Sequence, residues 1–320
     1  ESIWPMSGSV LVVNDTVYIA AGKTSYLDGG IRLYGLEPHT GKKAFDTVLM
    51  TLNEDGSETI DEQSVDGYLN DILSSDGERI YMRHQALDLA GKPKPGRVTH
   101  MHGPDGYLSS ETTTRLLWTY APMYTSPHQG AFYDLRLSRS LFPSGRILVE
   151  GEDVIYGFGQ NHYKKMRVDP GGTFALFSAA KENDVPLELS AKEYRTLALS
   201  GKKSVRFNWW KKLPIHVWAM VKTKDILFVA GVRGNATVSQ AALKGKSDGM
   251  LLAISPEDGS VLAEMSLPSM PVWDGMAAAG GNLYLALTNG QALCLWDAAS
   301  GRPGTPLTAA GWRVVLPPLK

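Results

Sequence analysis

The chain has 320 residues, 43% of them apolar, with 32 basic against 33 acidic side chains for a net charge of -1. That is ample material for a large core, and the balanced charge excludes the broad positive field needed to grip nucleic acid or an anionic membrane. No apolar run approaches the ~20 residues that span a bilayer, and the single cysteine, Cys294, excludes an intrachain disulfide and any multi-cysteine metal centre.

The opening, "ESIWPMSGSV", lacks a charged segment followed by an apolar one, and it begins on Glu1. The expectation is a processed or trimmed piece of a longer product, from which any export signal has been removed. From residue 11 a phrase then recurs: "LVVNDTVYIAAG" (11 to 22), "LSSDGERIYMRH" (73 to 84), "LVEGEDVIYGFG" (148 to 159), "MVKTKDILFVAG" (220 to 231) and "AAAGGNLYLALT" (277 to 288, counting the two alanines before it). Each copy is an apolar strand end, a short turn of Asn, Asp, Gly or Lys, and a β-branched residue or leucine directly before an aromatic. Such a pattern is a β-hairpin, with alternation after the turn sending one side into a core. The aromatic anchors are Tyr18, Tyr81, Tyr156, Phe228 and Tyr284.

A second phrase follows the hairpin in the first, fourth and fifth copies: "LYGLEPHTGK" (33 to 42), "LLAISPEDGS" (251 to 260) and "LCLWDAASGR" (293 to 302). Its spaced apolar residues predict a third strand, and its glycine predicts a turn into a fourth. Four-stranded units that cannot bury both faces alone satisfy one another by stacking radially, as propeller blades do. The fold expected is therefore all-β, a β-propeller of four-stranded antiparallel blades with about five recognisable repeats and rim insertions, forming one domain over 1–320. The repeat spacing exceeds the ~40–50 residues of an uninterrupted blade. The stretch 92–144 is expected to be a rim insertion, and 160–204, with "SAKEYRTLALSGKK", either an insertion or a degenerate blade. A parallel β-α-β design would need recurring amphipathic helices. The 33 glycines and 18 prolines that punctuate the strands argue for turn-rich β structure instead.

"LYGLEPHTGKKAF" resembles the repeat of pyrroloquinoline-quinone-type β-propellers. More narrowly, "SIWPMSGSVLVVNDTVYIAAGKTSYLDGG", "DILSSDGERIYMRH", "GYLSSETTTRLLWTY" and "GRILVEGEDVIYGFG" are similar to a group of large secreted bacterial proteins carrying it. The resemblance spans roughly residues 3 to 300. It implies a propeller with a periplasmic or extracellular address. It also implies further blades upstream, so that this chain would be the C-terminal part of a ring of seven or eight, completed by its own missing blades or by another chain. Quinone-using relatives need calcium ligands, a catalytic aspartate and often a cysteine pair. PQQ and calcium are therefore cofactors that the resemblance alone suggests, and the cysteine pair does not exist here.

Candidate ligand contacts gather near strand ends. Arg83 and His84 follow the second anchor, where a guanidinium fork suits carboxylate or sulfate oxygens; bracing of a neighbouring blade is the competing role. Arg115 and Trp118 in "TTTRLLWTY" combine a cation with an aromatic platform for a sugar ring. Asp71 and Asp28 are carboxylates at strand ends that turn capping explains equally well. His100 and His102 in "HMH" share a face if extended, a spacing that suits a metal, but no third ligand accompanies them and no metal is assigned. In "FNWWKK", Trp209 and Trp210 must point to opposite sides, one into the core. No nucleophile, zinc-protease or nucleotide motif occurs in a supporting context. The function expected is a binding or assembly module for carbohydrate or protein, with no catalytic constellation identified. The alternative is a quinone-dependent dehydrogenase or carbohydrate-active propeller that uses rim carboxylate and histidine residues.

Overall fold

A computed structural model describes all residues except 1–3, 7–9, 53–54, 58–66, 69, 71, 83–84, 95, 97, 103–117, 123–140, 161–173, 183, 188, 203–204, 235–239, 298–311 and 316–320. The chain's described residues are all-β, in six successive antiparallel sheets, each wound up and down in sequence order, the blade pattern of a β-propeller. The chain forms two compact units, residues 1–144 with 184–205, and residues 145–183 with 206–320.

The first unit opens with a four-stranded sheet: β1 (Leu11–Val13), β2 (Thr16–Ala21), β3 (Ile31–Leu36) and β4 (Lys43–Leu49). A three-stranded sheet follows, of β5 (Leu73–Ser75), β6 (Ile80–Met82) and β7 (Gln85–Leu87). Tyr18, Ile31, Leu33 and Leu49 pack with Leu73, Ile80, Met82 and Leu87 in one cluster. The Tyr18 hydroxyl, which burial would otherwise leave without water, donates to the carbonyl of Leu89 at 2.9 Å.

The turn at "EPHTGK" is built as its composition predicts. The Glu37 carboxylate accepts from the amides of His39 (3.0 Å) and Thr40 (2.7 Å), and Gly41, at φ 69°, donates to the Glu37 carbonyl at 2.8 Å. A related turn, one residue shorter, closes "DLAGK" in the second sheet. There Asp88 accepts from the amides of Ala90 and Lys92, and Gly91 donates to the Asp88 carbonyl. This further turn was legible as D-x-x-G-K.

Residues 92–144 contain β8 (His100–His102) and β9 (Trp118–Ala121), which join β10 (Ser144–Gly145) in a three-stranded sheet. Residues 160–204 supply β13 (Phe174–Ala180) and then a helix, α1 (Ala191–Ser200). The helix is set by a capping box, with Ser190 and Glu193 each bonding the other's amide, and it ends on Gly201 at φ 64°.

The second unit has three complete four-stranded sheets. They are β11 (Ile147–Glu150), β12 (Val154–Gln160), β13 and β14 (Phe207–Lys211); β15 (Ile215–Lys222), β16 (Leu227–Arg233), β17 (Gly249–Ile254) and β18 (Val261–Leu267); and β19 (Pro271–Ala279), β20 (Asn282–Leu287), β21 (Ala292–Asp297) and β22 (Trp312–Val315). The middle sheet is buried on both faces. Leu227, Val229, Leu252 and Ile254 pack against Phe158, Leu176 and Trp209 on one side, while Phe228, Ala230, Leu251 and Ala253 pack against Leu283, Leu285 and Leu293 on the other. This two-sided burial explains why β16 and β17 read as continuous apolar runs without alternation. Neighbouring sheets of this unit meet along their leading strands, β11 with β15 and β15 with β19.

Candidate functional site

In an up-and-down sheet, the start of the leading strand lies at the same end as the connection between the second and third strands. In the second unit those connections include 161–173 and 234–248, whereas the first-to-second connections at the opposite end are tight turns. The loop-rich end is therefore the one that carries the starts of β11, β15 and β19, and the chemistry concentrates there.

Two leading strands are distorted at that end. In β15 the pairing with β16 skips from Val217 to Ala219, leaving Trp218 as an extra residue. In β19 the pairing with β20 breaks between Pro271 and Met276, so that Trp273 and Asp274 stand out of register, with Asp274 held at φ 54°. β-Bulges re-aim side chains in this way and are enriched beside functional sites. Arg146, in the short gap before β11, is tethered by its own amide, which donates to the Phe158 carbonyl at 2.8 Å.

These distortions assemble a cluster around one guanidinium. Arg146 Nη1 donates to His216 Nε2 at 2.7 Å. Because a guanidinium has no acceptor, that imidazole nitrogen must carry its lone pair. The Cζ of Arg146 lies 5.0 Å from the Trp273 ring centre and 5.8 Å from that of Phe174, both cation-π distances. Phe174 stands edge-on to His216 at 4.6 Å, and Trp218 stands edge-on to Trp273 at 5.4 Å. Arg146, Phe174, Trp218 and Trp273 are each half-buried, while His216 is buried.

Among the described residues no carboxylate lies within ion-pair reach of Arg146. Arg146 Nε is buried without a hydrogen-bond partner, and so is the indole Nε1 of Trp218. Burial pulls the guanidinium's pKa below its ordinary value, although such a group stays protonated. A half-buried cation that, among the described residues, only rings and a neutral imidazole compensate is expensive, as is each orphan donor.

Asp274 follows Trp273 in the same bulge. Its surface is exposed, yet the surrounding protein desolvates the carboxyl and pushes its pKa up to about 6. An acid whose folded pKa is raised loses stability as it ionises. The penalty is absent below the ordinary value of ~3.9, grows as pH climbs towards 6, and is complete above it. Asp274→Asn should remove that slope, and asparagine tolerates the positive φ. In thermal melts the variant should gain on the wild type between pH 4 and pH 7; parallel Tm curves would refute the assignment.

The residues expected from sequence fall differently. Arg83, His84, Asp71 and Arg115 lie outside the described residues, as does the side chain of His102, whose backbone pairs with Thr119 in the β8–β9 ladder. Trp118 begins β9 and is half-buried. His100 is a buried packing residue, stacked 4.0 Å from Tyr81, with Nδ1 2.7 Å from the Val98 carbonyl oxygen. Asp28 stands exposed in a turn at φ 57°. Trp209 enters the core and donates to the Pro256 carbonyl at 2.9 Å, whereas Trp210 is only half-buried, so the two do point opposite ways. The Arg146 cluster was missed because its members are scattered through the sequence. The one local signal was "VWDG" (272 to 275), an aromatic and an acid beside a glycine inside an otherwise regular strand.

A second concavity, of about 290 Å³, lies at the opposite end of the leading strands, between the turns 222–225 and 278–282. Lys222 Nζ there donates to the carbonyls of Thr223 and Lys224, so its charge serves the turn itself.

The cofactor pair implied by the quinoprotein resemblance can be tested against these groups. A flat quinone acid would suit Trp273 and Arg146, but its calcium would need a cluster of ligands. Among the described residues no three His, Cys, Asp or Glu side chains converge.

No family model and no curated protein matches the chain. Among solved structures it is similar to hydrazine synthase from Kuenenia stuttgartiensis, at 11% identity over 92% of this chain and 78% of that one, with a TM-score of 0.41. It is also similar to Hsv2 from Kluyveromyces lactis (9% identity, 94% and 76%, TM-score 0.42). A third match is a quinohemoprotein alcohol dehydrogenase from Pseudomonas putida (11% identity, 89% and 56%, TM-score 0.33).

Proposed function

We propose that this propeller is a binding module that takes a carbohydrate at the loop-rich end of its second unit and, given the resemblance to secreted bacterial repeats, works outside the cytoplasm. One observation carries the reading. Two separate bulges set Trp218, Trp273 and Asp274 out of their ladders, leaving both indoles half-buried, Trp273 against Arg146, and Asp274 exposed in the same bulge as Trp273. Sugar rings are held by that combination: C–H faces stack on indole while hydroxyls bond carboxylate and guanidinium. A structural brace would need none of this exposure.

The experiment is a glycan screen of the full chain, followed by titration calorimetry on the hits. Trp273→Ala should weaken binding at least about tenfold, as loss of a central aromatic anchor does. Trp118→Ala should leave it intact, and the reverse result would return the site to the rim predicted from sequence. A screen without hits would sink the carbohydrate reading, and dye reduction appearing on addition of PQQ and calcium would replace it with the dehydrogenase.

A further inference from the structure

From the polarity of what is left unsatisfied in the same cluster, we infer that the sugar is an acidic one, a uronate whose ring carboxylate pairs with Arg146. The inference rests on the carbohydrate reading but deepens it by a different observation. Both orphan groups are donors, Arg146 Nε and Trp218 Nε1. Each is a nitrogen that carries hydrogen and cannot accept, so the missing partner is an acceptor. Nη2 of Arg146 likewise has no partner among the described residues, so the guanidinium keeps an edge beyond the Nη1 spent on His216. A planar guanidinium engages carboxylate oxygens with two parallel hydrogen bonds, which a lone sugar hydroxyl cannot do.

The aromatic flanks favour the same ligand. Trp273 and Phe174 shield the guanidinium from water on its faces, and an ion pair formed there is screened less by salt than one at an open surface. Asp274, next to Trp273 in the chain, argues that the anion sits on a hydroxylated ring. A carboxylate accepts hydrogen bonds from hydroxyls, whereas an aromatic acid would bring only repulsion to it. Neutral sugars would satisfy Asp274 and Trp273 but leave the guanidinium as it stands.

The test is calorimetry of the full chain with glucuronate, glucose and benzoate at low and high salt. Glucuronate should bind at least about tenfold more tightly than glucose, and that advantage should shrink as salt rises. Arg146→Met should bring the two sugars to equal affinity, and Arg146→Lys should keep only part of the preference, since an ammonium lacks the fork. Circular dichroism and melts verify that both variants are folded. If Arg146→Met does not fold, the glucuronate-to-glucose ratio and its salt dependence in the wild type still decide. Equal binding of glucose and glucuronate would overturn the acidic assignment while leaving the carbohydrate reading intact. Benzoate binding as well as glucuronate would overturn the sugar assignment, and binding of none of the three would overturn both.

Discussion

Gly231→Ala should unfold the second unit or cost it about 3 kcal/mol or more, a large effect for one methyl group. Gly231 lies in β16 opposite Val217, and a Cβ built on it would come within 1.9 Å of the His216 carbonyl oxygen. The clash is with backbone, so no rotamer change relieves it, and β15 would have to move away. That strand cannot move cheaply, because Ile215 and Val217 are fully buried in the core on the far side. Overpacking a well-filled core ordinarily costs ~1–3 kcal/mol, and more where backbone must shift. The close approach comes immediately before the bulge at Trp218, so the same substitution displaces His216 from Arg146. Urea denaturation should report the loss of stability, and binding at the Arg146 cluster should be lost in any fraction that stays folded. A variant as stable as the wild type would mean that β15 and β16 are less closely apposed than described.

How far the sequence foretold this arrangement depends on whether a feature is local. The hairpins were legible because each is a turn signal between two β runs, and Glu37 with Gly41 announced its turn through residues a few positions apart. What could not be read is set by contacts between distant segments. The period of β15 breaks at Trp218 because Gly231, on another strand, lets the chains approach there. Residues 191–200 form a helix, set by the capping box of Ser190 with Glu193. The binding residues are the extreme case. Arg146, His216 and Trp273 come from three sheets, and nothing in their immediate neighbours marks them as one site. Arg83 and Arg115, by contrast, are conspicuous in sequence because they adjoin aromatic or histidine neighbours, and both lie outside the described residues.

The repeated aromatic anchor invites the prediction that all five copies matter equally, and the structure says otherwise. Phe228→Ala should destabilise the second unit by about 3–5 kcal/mol, whereas Tyr284→Ala should stay within about 0.5 kcal/mol of the wild type. Phe228 is 0% exposed in the middle sheet, where Leu251 and Leu283 belong to the same apolar cluster, so truncation leaves a cavity between rigid strands. Tyr284 holds the same place in its hairpin but is 41% exposed, and on its strand the buried side is formed by Leu283, Leu285 and Leu287. The anchor keeps the same alternation in the last copy, pointing away from the preceding sheet, and among the described residues no further sheet packs on that face. Chemical denaturation of the two variants separates the cases. Similar losses for both would show that Tyr284 is covered in the native molecule, and a negligible loss for Phe228→Ala would contradict the two-sided burial of the middle sheet on which the packing of the second unit depends.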